Sequence, residues 1–150
     1  MRTTRAGALV AAGDAEAATE YDRTVLAGDP VHAAAHFCLG NALAATRRFA
    51  DALAAYEAAL RLAPADANLP YKLGNALIDT HRGAEALTHY ETAVRLAPND
   101  AEAHHHLGIA DARLDRLAEA GRACEAAWRI RPDYGDTQCH LAPVRGLLGR

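Results

Sequence analysis

The sequence predicts an all-α solenoid built from antiparallel helix pairs, and three recurring features support that fold class. A Leu-Gly pair, an alanine and a proline each recur with a period of 34 residues. They are Leu39-Gly40, Ala52 and Pro64, then Leu73-Gly74, Ala86 and Pro98, then Leu107-Gly108, Ala120 and Pro132. A period of this length is typical of stacked helix pairs, because one pair cannot bury its apolar faces alone and neighbouring pairs must close a continuous core.

The composition restricts the class of protein and of partner. The 150 residues suit one domain, and they are 51% hydrophobic but only 5% aromatic, which predicts a thin core spread along the solenoid. Surfaces that bind nucleic acid or anionic membranes carry a basic excess, whereas this chain has a formal net charge of -3. We therefore expect neither nucleic acid nor membrane as a partner. No apolar run approaches the ~18 residues of a membrane span.

The cysteines and the first residues bear on the cellular location. Cys38, Cys124 and Cys139 are odd in number and lack a CxxC spacing, which suits a reducing compartment. Two arginines precede the apolar run 6–12, so a signal peptide is the alternative. That run is short for a signal peptide, and Gly7 interrupts it. The cytoplasm is the expected location.

The chain begins with a degenerate leading repeat, expected over residues 1–32. Apolar residues at helical spacing predict a helix over 14–27. Matching Tyr21 to Tyr56 gives this repeat a spacing of 35 residues. Residues 3–12 would form a shortened first helix without a Leu-Gly pair, so this end is either degenerate or a cap.

Three complete repeats follow, each with two helices. The repeats are expected over 33–66, 67–100 and 101–134, with helices over 33–46, 49–62, 68–80, 83–96, 101–114 and 117–130. In the second repeat, Pro70 is tolerated in the first helical turn and Asn68 is the expected cap. Gly83 is expected to provide a left-handed or compact connection between the two helices.

The glycine of each Leu-Gly pair lies in a helix interior. Glycine costs roughly 1 kcal/mol relative to alanine at such a position. Gly40, Gly74 and Gly108 therefore indicate that a facing helix needs the space. The recurring alanine of the second helix is expected to supply the other side of this contact.

The third repeat departs from the pattern of the first two. Asp111 and Gly121 replace leucines, and Cys124 replaces the tyrosine. Looser packing is expected, partly compensated by the large side chain of Trp128. Residues 135–150 are expected to be a C-terminal capping helix or a truncated helix of a further repeat.

With three near-identical spacings over about residues 14–142, the sequence resembles the tetratricopeptide repeat (TPR) family. The resemblance implies a right-handed superhelix with three full repeats and partial repeats at both ends. It also implies that the first helix of each pair lines a concave groove. Family members usually bind a peptide or protein segment there and do no chemistry themselves.

Carried onto this chain, the resemblance places eleven residues in the ligand-binding groove. They are Phe37, Asn41, Asn68, Tyr71, Asn75, Ile78, Asp79, Glu102, His105, Ile109 and Arg113. Asn41 and Asn75 match asparagines with which some members hold a peptide backbone or a terminal carboxylate, a task for which an amide offers two donors and an acceptor. The alternative is that these asparagines are exposed fillers of the repeat.

The chaperone-binding members also need basic residues beside those asparagines. Phe37, Tyr71, His105 and Ile109 occupy the corresponding places in this chain. A carboxylate clamp for chaperone tails is therefore not expected.

No residue pattern indicates catalysis or a cofactor. Residues 104–106 are three consecutive histidines, but neighbours on a helix point about 100° apart and cannot converge on one metal ion. His105 is expected to enter the groove, with His104 and His106 at the helix edges. The sequence contains no phosphate-binding loop, nucleophile elbow or HExxH pattern. We expect no catalytic residue, no metal site and no enzyme activity.

Two further interpretations stay open beside the interaction module. The chain could be the accessory repeat region of a larger enzyme, such as a glycosyltransferase of the type that carries these repeats. It could also be a scaffold that forms a homo-oligomer through the unpaired ends of the solenoid.

Overall fold

The structure is a computed structural model that describes residues 13–133, and these residues form seven helices and no strand. The helices are α1 (Ala15–Gly28), α2 (Ala33–Ala45), α3 (Phe49–Leu62), α4 (Asn68–Asp79), α5 (Gly83–Leu96), α6 (Ala101–Arg113) and α7 (Leu117–Ile130). Each begins and ends within one residue of its predicted bounds. The helix expected over 3–12 and the capping or truncated helix expected over 135–150 lie outside the described residues.

The helices form a linear stack, because the substantial contacts join each helix to the next one along the chain. The core between them is built from leucines, alanines and two tyrosines, which include Leu43, Leu69, Leu73, Tyr56 and Tyr90. The all-α helix-pair architecture is therefore confirmed for the described residues. None of the seven helices combines the length and apolar character that a bilayer crossing needs.

In the first two complete repeats, a tyrosine ring of the second helix lies against the glycine of the first. A Cβ built at Gly40 would lie 2.5 Å from ring carbons of Tyr56, and one at Gly74 would lie 2.6 Å from Tyr90. Both tyrosines are only 2% exposed. The predicted close approach is confirmed, but the facing group is the tyrosine ring rather than the recurring alanine.

In the third repeat, Cys124 occupies the place that the tyrosine has in the first two. A Cβ at Gly108 would lie 2.6 Å from the Sγ of Cys124 and 3.2 Å from the carbonyl oxygen of Ala120. The Sγ of Cys124 therefore takes the place of the tyrosine ring against this glycine. Trp128 is half exposed and does not fill the core, so the expected compensation is wrong.

The leading repeat has a 34-residue spacing, and the predicted spacing of 35 residues is wrong. Asp22, not Tyr21, takes the place that Tyr56 holds 34 residues later, and it is 0% exposed. The reason is helical phase, since Ala18, Asp22 and Val25 follow one another at intervals of four and three residues and share the buried face.

Asp22 is a buried carboxylate without a hydrogen-bond partner for either oxygen among the described residues. Burial raises the pKa of Asp22 to about 6, and the nearby His32 only partly opposes this rise. Asp111 is also buried, but the Nε of Arg116 lies 3.3 Å from its Oδ1. Burial raises the pKa of Asp111, and Arg116 opposes that rise.

The turns within the helix pairs use left-handed backbone at residues other than glycine. Arg47, His81 and Asp115 have φ values of 60°, 61° and 58°. Of the two connections predicted for Gly83, left-handed or compact, the left-handed one is wrong, because His81 provides that conformation and Gly83 is the first residue of α5.

The cap of α4 also differs from the prediction. Asn68 does not cap this helix, because its backbone N–H and its Nδ2 both donate to Oδ1 of Asp66, at 3.0 and 3.1 Å. The carboxylate of Asp66 therefore satisfies a backbone donor at the start of α4.

We predict that Gly74→Ala destabilises the protein by about 1–3 kcal/mol, because the new methyl group collides with the Tyr90 ring in a packed core. This loss exceeds the roughly 1 kcal/mol that alanine gains over glycine in a helix. Gly28→Ala is the matched control, since nothing lies within 4 Å of its Cβ position. Urea unfolding of both variants measures the difference, and equal stabilities would contradict the contact.

We predict that Asp22 makes the protein less stable as the pH rises. A carboxyl whose pKa is raised to about 6 in the folded state is favoured there only while protonated, so its contribution is lost between pH ~4 and ~6. Asp22→Asn should therefore be more stable than wild type at pH 7 by about 2 kcal/mol and nearly equal at pH 4. Urea unfolding at both pH values is the measurement, and a difference that does not vary with pH would disprove the assignment.

Candidate functional site

Two adjoining cavities lie along the first helices of the three complete repeats. The first, of about 410 Å³, lies between α2 and α4 and is lined by residues that include Cys38, Asn41, Ala44, Lys72, Asn75 and Asp79. The second, of about 330 Å³, lies between α4 and α6 and is lined by residues that include Asn75, Ile78, Asp79, His106, Ile109 and Arg113. Because Asn75 and Asp79 belong to both, the cavities form one continuous trough.

The repeat register positions the trough residues. Lys72, Asn75 and Asp79 are spaced by three and four residues on α4, so they share one helical face. His106, Ile109 and Arg113 repeat this spacing on α6, 34 residues later. The concave lining is therefore the same face of successive first helices.

Two asparagines of the trough accept hydrogen bonds from the buried tyrosines. The Tyr56 hydroxyl donates to Oδ1 of Asn41 at 2.9 Å, and the Tyr90 hydroxyl donates to Oδ1 of Asn75 at 2.6 Å. Burial raises the pKa of both tyrosines, so the two phenols keep their protons at any physiological pH. Neither asparagine Nδ2 has a hydrogen-bond partner among residues 13–133.

Lys72 is the single lysine of the chain, and it lines the first cavity beside both asparagines. Its Nζ lies 5.6 Å from the centre of the Tyr71 ring. No carboxylate of the described residues forms an ion pair with it. Lys72 is absent from the predicted groove residues, because the predicted helical face includes Tyr71, one residue earlier. The uniqueness of this lysine in the sequence was the available signal.

The structure corrects the predicted placement of the three histidines. His105 is only 6% exposed and does not line the trough, whereas His106 does. The reason is that His106, not His105, lies three and seven residues before Ile109 and Arg113 on α6. His104 is half-buried, and its Nε2 lies 2.9 Å from the carbonyl oxygen of Pro98.

The ring of His106 packs between two tyrosines. Its centre lies 5.8 Å from that of Tyr90 in a stacked arrangement and 5.2 Å from that of Tyr71 in an edge-on arrangement. Burial, followed by the neighbouring His105, lowers the pKa of His106. His106 is therefore an uncharged, aromatic part of the trough at neutral pH.

Six of the eleven predicted groove residues line the cavities: Asn41, Asn75, Ile78, Asp79, Ile109 and Arg113. Phe37 and Tyr71 instead pack at the margin, with ring centres 6.1 and 6.3 Å from those of Tyr56 and Tyr90. The Tyr71 hydroxyl donates to Oε1 of Glu102 at 2.6 Å, which ties α4 to α6. Asn68 is exposed and lies outside both cavities.

The trough has the chemistry of a binding surface. It combines two amides, one ammonium group, one guanidinium group and one carboxylate with apolar side chains. Within the described part of the chain, no three histidine, cysteine, aspartate or glutamate side chains are arranged to hold a metal ion.

Comparison with known proteins gives a family and a fold. The family model described as Tetratricopeptide repeat matches residues 3–67 and 71–135. No curated protein matches the sequence. The solved structures that match are TPR proteins, and they confirm the predicted right-handed superhelical solenoid.

Of three of these solved structures, two are described with a peptide-binding site or a bound peptide. YrrB, described as a TPR protein with an unusual peptide-binding site, is 26% identical with a TM-score of 0.83, over 96% of this chain and 74% of YrrB. MamA from Desulfovibrio magneticus RS-1 is 23% identical with a TM-score of 0.87, over 97% of this chain and 82% of MamA. The first TPR of Spaghetti (RPAP3), bound to the HSP90 peptide SRMEEVD, is 21% identical with a TM-score of 0.74, over 79% of this chain and 94% of that one.

Proposed function

The chain belongs to the tetratricopeptide repeat family, and from that premise we propose that its concave trough binds an extended segment of a partner protein. Proteins of this family are typically non-catalytic interaction modules. The proposed contacts are the residues that line the two cavities, with Phe37, Asn68, Tyr71 and Glu102 at the margin.

The observation that carries the proposal is the group of unpaired donors in the first cavity. The Nδ2 atoms of Asn41 and Asn75 and the ammonium group of Lys72 have no acceptor among the described residues. An extended peptide presents a backbone carbonyl at intervals of about 3.5 Å and leaves its acceptors unpaired. Such a segment supplies what these three side chains lack.

The second cavity suits a different part of the same segment. Ile78 and Ile109 provide apolar surface there, next to the rings of Tyr90 and His106. Burying an apolar side chain against them would add about 25 cal/mol per Å². The two cavities together favour a segment with both a polar and an apolar part.

Two neighbours support a peptide as the ligand class. YrrB is described as having a peptide-binding site, and the RPAP3 structure contains a peptide. The RPAP3 peptide also bears acidic residues, and Lys72 offers this chain a basic group beside its asparagines. We propose the cytoplasm as the location, because three cysteines without a CxxC spacing suit a reducing compartment.

We predict that Lys72→Met and Asn75→Ala weaken binding of the partner segment by about 30-fold each, the loss typical of central interface anchors. The protein is used as bait in native lysate, and the segment recovered is synthesised and titrated by calorimetry. Arg61→Met is the matched control, because it removes the same charge from an exposed position of α3 outside both cavities.

The control should bind within about threefold of wild type, as a peripheral change does. Loss of affinity in Arg61→Met together with wild-type affinity in both trough variants would place the partner on the outer face and refute the proposal. The intact mass of the native protein tests the enzyme alternative, because a product much longer than 150 residues would favour an accessory region of a larger enzyme. Sedimentation of the protein alone would detect self-assembly through the solenoid ends.

A further inference from the structure

We propose that Tyr56 and Tyr90 are positioning residues that fix the orientation of the Asn41 and Asn75 amides, so that the first cavity selects ligands bearing carboxylates or other strong hydrogen-bond acceptors. This inference rests on the proposed function, because it specifies the ligand of the same trough. It assigns to two core tyrosines a role in specificity that their burial alone does not suggest.

The hydroxyl groups of Tyr56 and Tyr90 cannot move away from the asparagines. Each ring is enclosed, at 2% exposure, and lies so close to a glycine that even a methyl group there would collide with it. The hydroxyl of Tyr56 is thereby held 2.9 Å from Oδ1 of Asn41, and that of Tyr90 is held 2.6 Å from Oδ1 of Asn75. The same arrangement occurs in two repeats, with the partners 15 positions apart in the sequence each time.

Only one orientation of each asparagine amide gives the tyrosine hydroxyl a hydrogen-bond acceptor. A phenol has one proton to donate, and it needs an acceptor when it is buried. If the amide turned over, its NH₂ group would face the hydroxyl, and the phenol proton would lose its acceptor. A donor left unsatisfied in a buried place disfavours that orientation by a factor of about 10 or more. The amide oxygen therefore faces the core, and the NH₂ group faces the trough.

The side of the asparagines that faces the trough therefore presents hydrogen-bond donors. Asn41, Lys72 and Asn75 all line the first cavity, where the two NH₂ groups and the ammonium group offer only N–H donors. A carboxylate accepts several such bonds and also pairs with the ammonium group. A ligand amine or guanidinium group would meet these donors and the like charge of Lys72, and Asp79, which lines both cavities, is the one carboxylate of the described lining that could accept from it.

The third complete repeat lacks both members of this arrangement. Ile109 stands where Asn41 and Asn75 stand, and Cys124 stands where the tyrosines stand. The two tyrosine-held amides are therefore confined to α2 and α4, while the second cavity combines Asn75 with Ile78, Ile109 and Arg113. A bound ligand would therefore have a preferred direction, with its acceptor-rich part at α2 and α4 and its apolar part toward α6.

The test uses a library of random heptapeptides, from which the intact protein selects binders. Wild type should enrich aspartate and glutamate by about fivefold or more at one position, which corresponds to one charge-assisted hydrogen bond. Tyr90→Phe and Tyr56→Phe keep the rings and remove the hydroxyls, so both should lose most of that enrichment while still folding. Asn75→Asp, which offers acceptors in the same shape, should shift the preference toward lysine and arginine.

Tyr21→Phe is the control, because it removes a tyrosine hydroxyl from α1, outside both cavities. It should select the same peptides as wild type. Unfolding curves of all variants establish that each is folded. A purely structural role for Tyr90 would lower its stability without changing which residues are selected.

The outcomes separate this inference from the proposed function. If wild type selects no peptide at all, the proposed function fails. If it selects peptides without acidic preference, or if Tyr90→Phe and Tyr56→Phe keep the full acidic preference, the trough still binds peptides but the positioning role is overturned.

Discussion

The contact between a tyrosine ring and a glycine inside each of the first two complete repeats determines how the rest of the structure is arranged. It sets the separation of the two helices of a pair, because Gly40 and Gly74 leave room for the rings of Tyr56 and Tyr90 and for nothing larger. It also sets where each hydroxyl emerges on the concave side. Core packing and the polarity of the trough therefore depend on the same side chain, and a change in one is expected to alter the other.

The ends of the stack show what happens when the tyrosine is absent. In the leading repeat its place is taken by Asp22, which is buried without a partner among the described residues and has a raised pKa. In the third complete repeat Cys124 is smaller, and its Sγ lies against Gly108 in place of a ring. Only repeats one and two have the whole arrangement, and the first cavity lies between them. The polar part of the trough is thus where two complete units adjoin.

The fold was predictable because the period alone fixes which residues face each other. The Leu-Gly pairs and the prolines placed all seven described helices within one residue. The trough was only partly predictable, since a shift of one residue on a helix turns a side chain by about 100°. That shift separates His106 from His105 and Lys72 from Tyr71, and the repeat pattern does not distinguish them. The register of the leading repeat failed for a related reason, because Tyr21 matched the residue type of Tyr56 while Asp22 matched its phase.

Neutron diffraction from crystals of the deuterium-exchanged protein would test most directly whether the core tyrosines orient the trough amides, because deuterium distinguishes an amide nitrogen from its oxygen. The account predicts that the Tyr56 and Tyr90 hydroxyl deuterons point at Oδ1 of Asn41 and Asn75. It also predicts that both deuterons of each amide face the trough. Nitrogen facing the tyrosine in either pair would contradict the account, because the first cavity would then present an acceptor where the proposed ligand needs a donor.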